Sequence, residues 1–115
     1  MNNVVEKTEW QTLCKRQDLV VGSGVCALVD GAQIALFYLP EEEAQIYALN
    51  NRDPIGGAQV LSRGIVGDLS GRLVVASPLY KQHFDLQTGA CLEEEGVQVE
   101  VYSVRLDGDD VLLAA

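Results

Sequence analysis

The sequence predicts an all-β domain, a small sandwich or barrel of about ten short antiparallel strands. Three features carry that expectation. The 11 glycines recur at short intervals, with short apolar runs between them. The pairs Asp30-Gly31, Ser70-Gly71 and Asp107-Gly108 are residue types that make tight turns. No segment carries a sustained helical period, and Glu41 to Ile46 has room for a single helical turn at most.

Taken in order, Trp10 to Cys14 alternates apolar and polar residues and reads as the first strand. Lys15 to Leu19 lead away, and Gly22-Ser23-Gly24 is a flexible turn. Val25 to Val29 is a continuous apolar strand. Asp30-Gly31 supplies the positive φ angles of a tight hairpin, and Gln33 to Leu39 returns as its partner. Pro40-Glu41-Glu42-Glu43 breaks the pattern as a solvated turn. Gln45 to Leu49 is a further strand. Val60-Leu61 and Ile65-Val66 flank Ser62-Arg63-Gly64, and Ser70-Gly71 turns the chain into the strand Leu73 to Ala76. His83 to Leu86 is short and closes at Thr88-Gly89. Glu93-Glu94-Glu95-Gly96 is a second acidic turn. Val97 to Val101 alternates strictly and is expected to run on as one strand to Leu106. Asp107 to Asp110 makes the last hairpin before Val111 to Ala114.

A chain of 115 residues suits one domain, expected to span residues 1–115 with 1–8 as a loose N-terminal arm. At that size roughly 65% of the unfolded surface can be buried, enough for one core and hardly two. The net charge is -9, with 8 basic residues scattered among 17 acidic ones. Phosphate binding needs clustered Lys and Arg, so nucleic acid and anionic membrane are not expected partners. The net charge favours solubility and a basic surface on any protein partner. No apolar run approaches the ~20 residues of a membrane span. No basic segment precedes an apolar one at the N-terminus, so no secretory signal is expected. Cys14, Cys26 and Cys91 are odd in number and lack C-x-x-C spacing, which fits a reducing, cytoplasmic compartment.

Two Pro-containing loops dominate the middle of the chain: Asp53-Pro54-Ile55-Gly56-Gly57-Ala58 and Ser77-Pro78-Leu79-Tyr80, followed by Phe84-Asp85-Leu86-Gln87-Thr88-Gly89. This layout resembles the Rieske ferredoxin domain, whose loops read Cys-Pro-His-x-Gly-Ala and Cys-Pro-x-His, followed by Phe-Asp-x-x-Thr-Gly. The resemblance places the four ligands of a [2Fe-2S] cluster on Asp53, Ile55, Ser77 and Tyr80. None of the four residues suits the task, because the cluster takes two thiolates and two imidazoles. The chain holds one histidine, His83, and its cysteines lie outside both loops. No cluster and no other metal is therefore expected on this chain. An unfilled void of roughly 100 Å³ would cost about 2.4 kcal/mol. Ile55, Leu79 and Tyr80 are bulky enough to be expected in the vacated space, leaving a repacked, redox-silent tip.

Both the framework and the lost ligands resemble the small subunit of the assimilatory NADH-dependent nitrite reductase. The resemblance runs from Trp10 to Ala114. It is most specific in Asn51 to Ala58, Ser62 to Asp68 and Pro78 to Leu86. It implies a non-catalytic subunit that supports reduction of nitrite to ammonium by a large partner subunit. FAD, NADH, sirohaem and an iron–sulfur cluster are expected on that partner. The alternative is a redox-silent binding module, or a ferredoxin-like component, for another oxidoreductase.

Asp53, Ile55, Tyr80, Lys81 and His83 are the candidate interface residues. Asp53 either contacts a basic patch on the partner or caps its own turn. Tyr80 and Lys81 either anchor an interface or, for Tyr80, pack into the vacated site. His83 has no carboxylate or nucleophile beside it in sequence and is expected to be structural. A zinc site from the three cysteines and His83 lacks the usual C-x₂₋₄-C pair. Cys14 and Cys26 are therefore expected to be small buried hydrophobes, and Cys91 to be exposed. Gly22-Ser23-Gly24 and Gly56-Gly57 fit no phosphate-binding or nucleophile-elbow motif. No catalytic residue is expected.

Overall fold

The structure, a computed structural model, describes residues 9–114, so the expected N-terminal arm lies outside the described residues. Ten strands follow one another: β1 (Trp10–Lys15), β2 (Gly24–Val29), β3 (Ala32–Tyr38), β4 (Ile46–Asn50), β5 (Ile65–Leu69), β6 (Arg72–Ala76), β7 (His83–Asp85), β8 (Val101–Tyr102), β9 (Val104–Asp107) and β10 (Asp110–Ala114). They form three antiparallel sheets, ordered β1-β10-β9, β2-β3-β4-β8 and β5-β6-β7. Single 3₁₀ turns at Arg16–Asp18 and Leu61–Arg63 are the only helical pieces among the described residues. The expected all-β class and strand number both hold.

The hairpins follow from their turn residues. Asp30 and Gly31 have φ of 47° and 84°, and Ser70 and Gly71 have 55° and 82°. Two successive positive φ angles define the turn whose twist matches paired strands.

β3 and β4 sit at the centre and bury both faces. Ala35, Phe37, Tyr47 and Leu49 point one way, into a cluster with Leu61, Val75, Phe84, Leu86, Cys91 and Val99. Ile34, Leu36, Ile46 and Ala48 point the other way, onto Leu19, Val111 and Leu113. Side chains alternate sides along a strand, so one hairpin supplies both layers. The expectation of a single core is corrected accordingly: a chain this short holds two apolar clusters because they share the same two strands. The first cluster lies under the β5-β6-β7 sheet, which carries the second Pro loop, while the first Pro loop leads into it from β4.

The expected strand from Val97 to Leu106 is broken, because its hydrogen-bond partners change along its length. The Val99 amide donates to Gly89 O (2.9 Å), the Glu100 carbonyl accepts from Asn50 N (2.9 Å), and Val104 to Asp107 pair with β10. The alternation is real, since Val99 is buried between exposed Gln98 and Glu100. It reports burial, not a single continuous ladder.

Candidate functional site

The first loop leaves the end of β4, and the second connects β6 to β7. Asn51 pins the base of the first loop. Its amide donates to Gln33 O (2.9 Å), its Nδ2 to Gln33 Oε1 (3.1 Å), and its Oδ1 accepts from Ser62 N (2.7 Å). Asn51 is buried, and all these groups would otherwise be left unpaired away from water. Its sequence signal was only its place at the head of the Asn-Arg-Asp-Pro stretch.

The loops share one construction. In the first, Asp53 N donates to Ala58 O (2.9 Å) and Gly57 N to Asp53 O (2.7 Å). Oδ1 of Asp53 accepts from Ile55 N (2.8 Å) and Gly56 N (3.1 Å). In the second, Ser77 N donates to Gln82 O (2.9 Å) and Lys81 N to Ser77 O (3.0 Å), while Oγ of Ser77 accepts from Leu79 N (3.3 Å). Each loop is thus capped by the side chain of its first residue. The two caps then bond each other, Ser77 Oγ donating to Asp53 Oδ2. Asp53 is 0% and Ser77 1% exposed. Of the two readings of Asp53, turn capping is the one the geometry supports. Its place among the interface residues is corrected, since a side chain with no exposed surface cannot touch a partner.

The same geometry tests whether a [2Fe-2S] cluster fits. At the thiolate positions stand a carboxylate and a hydroxyl that satisfy each other and three loop amides. Ile55 offers no lone pair, and Tyr80 carries a phenol in place of an imidazole. The residues do not fit the group.

The residues expected to fill the vacated space do not fill it. Ile55 is 37%, Leu79 41% and Tyr80 63% exposed. The Asp53–Ser77 pair closes the gap between the loops, so the bulkier side chains are turned outward. Leu79 and Tyr80 lie over Gly56, where an added Cβ would stand 2.5 Å from Leu79 Cδ1 and 3.2 Å from Tyr80 Cε2. Ile65, at the start of β5 opposite Ala76, is 77% exposed and belongs to the same end of the molecule. The tip therefore presents large apolar side chains to solvent, which marks interaction surfaces.

His83 has a partner that sequence proximity hid. Glu93, from the acidic turn, accepts the His83 amide (2.7 Å) on Oε1 and lies 2.6 Å from Nδ1 through Oε2. The Cys91 thiol also reaches Glu93 Oε1, at 3.9 Å. Glu93 thus clamps the acidic turn to β7, and among the described residues no hydrogen bond joins the thiol to the imidazole. Two cysteine expectations reverse. Cys91 is buried, because its amide bonds Val97 O and its side chain joins the first cluster. Cys26 is exposed on β2, with its thiol on Gln33 Oε1 (3.6 Å). Cys14 is half-buried.

Asp85 repeats the Asp53 arrangement at the other end of the β5-β6-β7 sheet. Oδ1 accepts from Gln87 N (2.7 Å) and Thr88 N (3.0 Å), and Oδ2 from Arg72 Nε (2.8 Å). Burial raises the Asp85 carboxyl, but the two loop amides and the Arg72 guanidinium outweigh it and hold it below its ordinary range. For Glu93, burial is likewise outweighed by the His83 amide and imidazole. Both folded-state values are depressed, so the unfolded chain binds more protons on acidification. Their contribution to stability is complete at neutral pH. It is lost as pH falls through the carboxylate range, about pH 4, and below. Urea midpoints measured at pH 7, 5 and 3.5 should fall, and fall less steeply in Asp85→Asn. An identical slope in that variant would refute the assignment. A groove of about 750 Å³ beside Arg72 is walled by Glu42, Glu43, Asp68 and Asp85 and lies at the far end of the β5-β6 hairpin from the tip.

Residues 9–114 match the family described as the Rieske-like [2Fe-2S] domain. The chain is 46% identical over 99 residues to the nitrite reductase (NADH) small subunit of Salmonella typhimurium, covering 86% of this chain and 91% of that one. It superposes on the solution structure of the Escherichia coli protein NirD with a TM-score of 0.83, at 38% identity and 95% and 98% coverage. It is also 36% identical over 102 residues to the nitrite reductase [NAD(P)H] large subunit of Klebsiella oxytoca, spanning 89% of this chain and 10% of that one.

Proposed function

The chain belongs to the Rieske-like [2Fe-2S] domain family and, within it, to the small subunits of NADH nitrite reductases, and we propose that it serves the large subunit as a docked, redox-silent module. The Asp53–Ser77 bond carries this reading: the positions that would hold a cluster hold a structural link instead. Reduction of nitrite to ammonium, with FAD, NADH, sirohaem and iron–sulfur chemistry, is assigned to the large subunit, and the site of action to the cytoplasm. Among the described residues no helix is long and apolar enough to cross a membrane. The occurrence of a similar segment inside a chain named as a large subunit supports a role in direct contact with that subunit.

The docking surface is the tip, with Ile55 and Tyr80 as apolar contacts, Lys81 beside them and His83 at the edge. Tagged chain purified from its native host grown on nitrate should bring down a large sirohaem flavoprotein. Recovery of the chain alone would overturn the proposal. Tyr80→Ala, at an exposed position, should weaken that association by about 2 kcal/mol, or ~30-fold, and lower nitrite-dependent NADH oxidation. Its thermal midpoint should stay within a few degrees of the parent.

A further inference from the structure

The distribution of charge at the tip runs against the charge of the whole. Of the 17 acidic residues, only Asp53 and Asp68 fall between positions 50 and 83. Asp53 is buried and tied to Ser77, and Asp68 bonds Gly71 N (3.0 Å) at the far end of the β5-β6 hairpin. Arg52, Arg63 and Lys81 all lie in or beside the two loops, and all three are exposed. Glu93 flanks the second loop but is turned onto His83.

Elsewhere the described cations have partners. Lys15 pairs with Asp110 at 2.5 Å, Arg72 with Asp85, Arg16 reaches Gly108 O, and Arg105 stacks 4.5 Å from the Trp10 ring. Among the described residues, Arg52, Arg63 and Lys81 form no salt bridge. The Arg52 side chain bonds the Gly57 carbonyl through Nε, which leaves the rest of its guanidinium available, and Glu100, which lines a groove with it, accepts from the Tyr102 hydroxyl instead. Three exposed cations without a salt bridge therefore lie in or beside the same loops as the exposed Ile55, Ile65, Leu79 and Tyr80.

Resting on the reading that this chain serves the large subunit, we infer that its tip docks on a large-subunit patch with an apolar centre and an acidic rim. This is the opposite of the basic partner surface that the net charge of -9 suggests. The two charges do different work. The acidic body disfavours approach of an acidic patch, whereas the tip, with its exposed cations, favours it. Rim charges of this kind select orientation and register, and they make association sensitive to salt.

The test uses the full chain and the purified large subunit, with affinity measured at low and at high salt. The wild type should bind, and more weakly at high salt. The combined Arg52→Glu, Arg63→Glu, Lys81→Glu variant should bind on the order of 100-fold more weakly at low salt. Because Arg52 touches its own loop, Arg63→Glu with Lys81→Glu alone should still lose more than tenfold. Glu41→Lys with Glu42→Lys, remote from the tip, should leave the tip contact intact and bind no more weakly than wild type. Circular dichroism and the thermal midpoint confirm that each variant is folded. Wild-type binding that ignores both tip reversals, or that strengthens with them, overturns the inference alone. A wild-type chain that does not bind the large subunit overturns the parent reading and this one with it.

Discussion

Asp53→Ala should lower the free energy of unfolding by about 3 kcal/mol, the largest polar effect expected at the tip. The carboxylate has no exposed surface and accepts from Ile55 N, Gly56 N and the Ser77 hydroxyl. Alanine leaves two loop amides and a hydroxyl without their acceptor, and each buried orphan costs more than the net worth of its bond. Asp53→Asn keeps an acceptor for the amides and a donor toward Ser77, so it should cost about 1 kcal/mol. Ser77→Ala, which removes the shared bond and the cap on Leu79, should cost about 1.5 kcal/mol. Because the two side chains touch, the double variant should fall short of the sum by about 1 kcal/mol. Urea unfolding of the wild type and these four variants measures all of this. Additive losses would show that the loops are held independently, and would remove the link as the organiser of the tip. If the link does organise it, Asp53→Ala should also weaken association with the large subunit, although Asp53 itself touches no partner.

Gly89→Ala should be more damaging still, at about 4 kcal/mol or outright failure to fold. Gly89 closes the Phe-Asp-x-x-Thr-Gly stretch with φ of 79°. Positive φ alone costs an L-residue only about 1 kcal/mol. The decisive term is steric: an added Cβ would stand 2.1 Å from Val99 O and 2.9 Å from Val101 Cγ2. That carbonyl is backbone and cannot swing aside. The Val99 amide is also bonded to Gly89 O, so moving the strand would break the link between the Asp85 turn and residues 97–99. Gly96→Ala separates the two contributions. Its φ is 84°, but its added Cβ meets nothing within 4 Å, so it should cost only about 1 kcal/mol. Comparable thermal midpoints for the two variants would refute the steric account.

What the sequence by itself determined is whatever short-range chemistry can specify. Turn residues located the hairpins, because Asp30-Gly31 and Ser70-Gly71 readily adopt successive positive φ angles. Apolar spacing located most strands, and the two Pro loops with their altered ligand positions marked the tip and the family. Tertiary structure decided everything that depends on partners distant in the chain. It paired Asp53 with Ser77 across 24 positions, and His83 with Glu93 across 10. It buried Cys91, exposed Cys26, and turned Ile55, Leu79 and Tyr80 outward because two small polar caps had already closed the space. It split Val97 to Leu106 by giving successive residues different strands to bond. A periodic pattern records that a side chain is buried, but not what it is buried against. That second fact is settled only when the sheets stack, because burial removes water as the alternative partner and forces each polar group to find one in the protein.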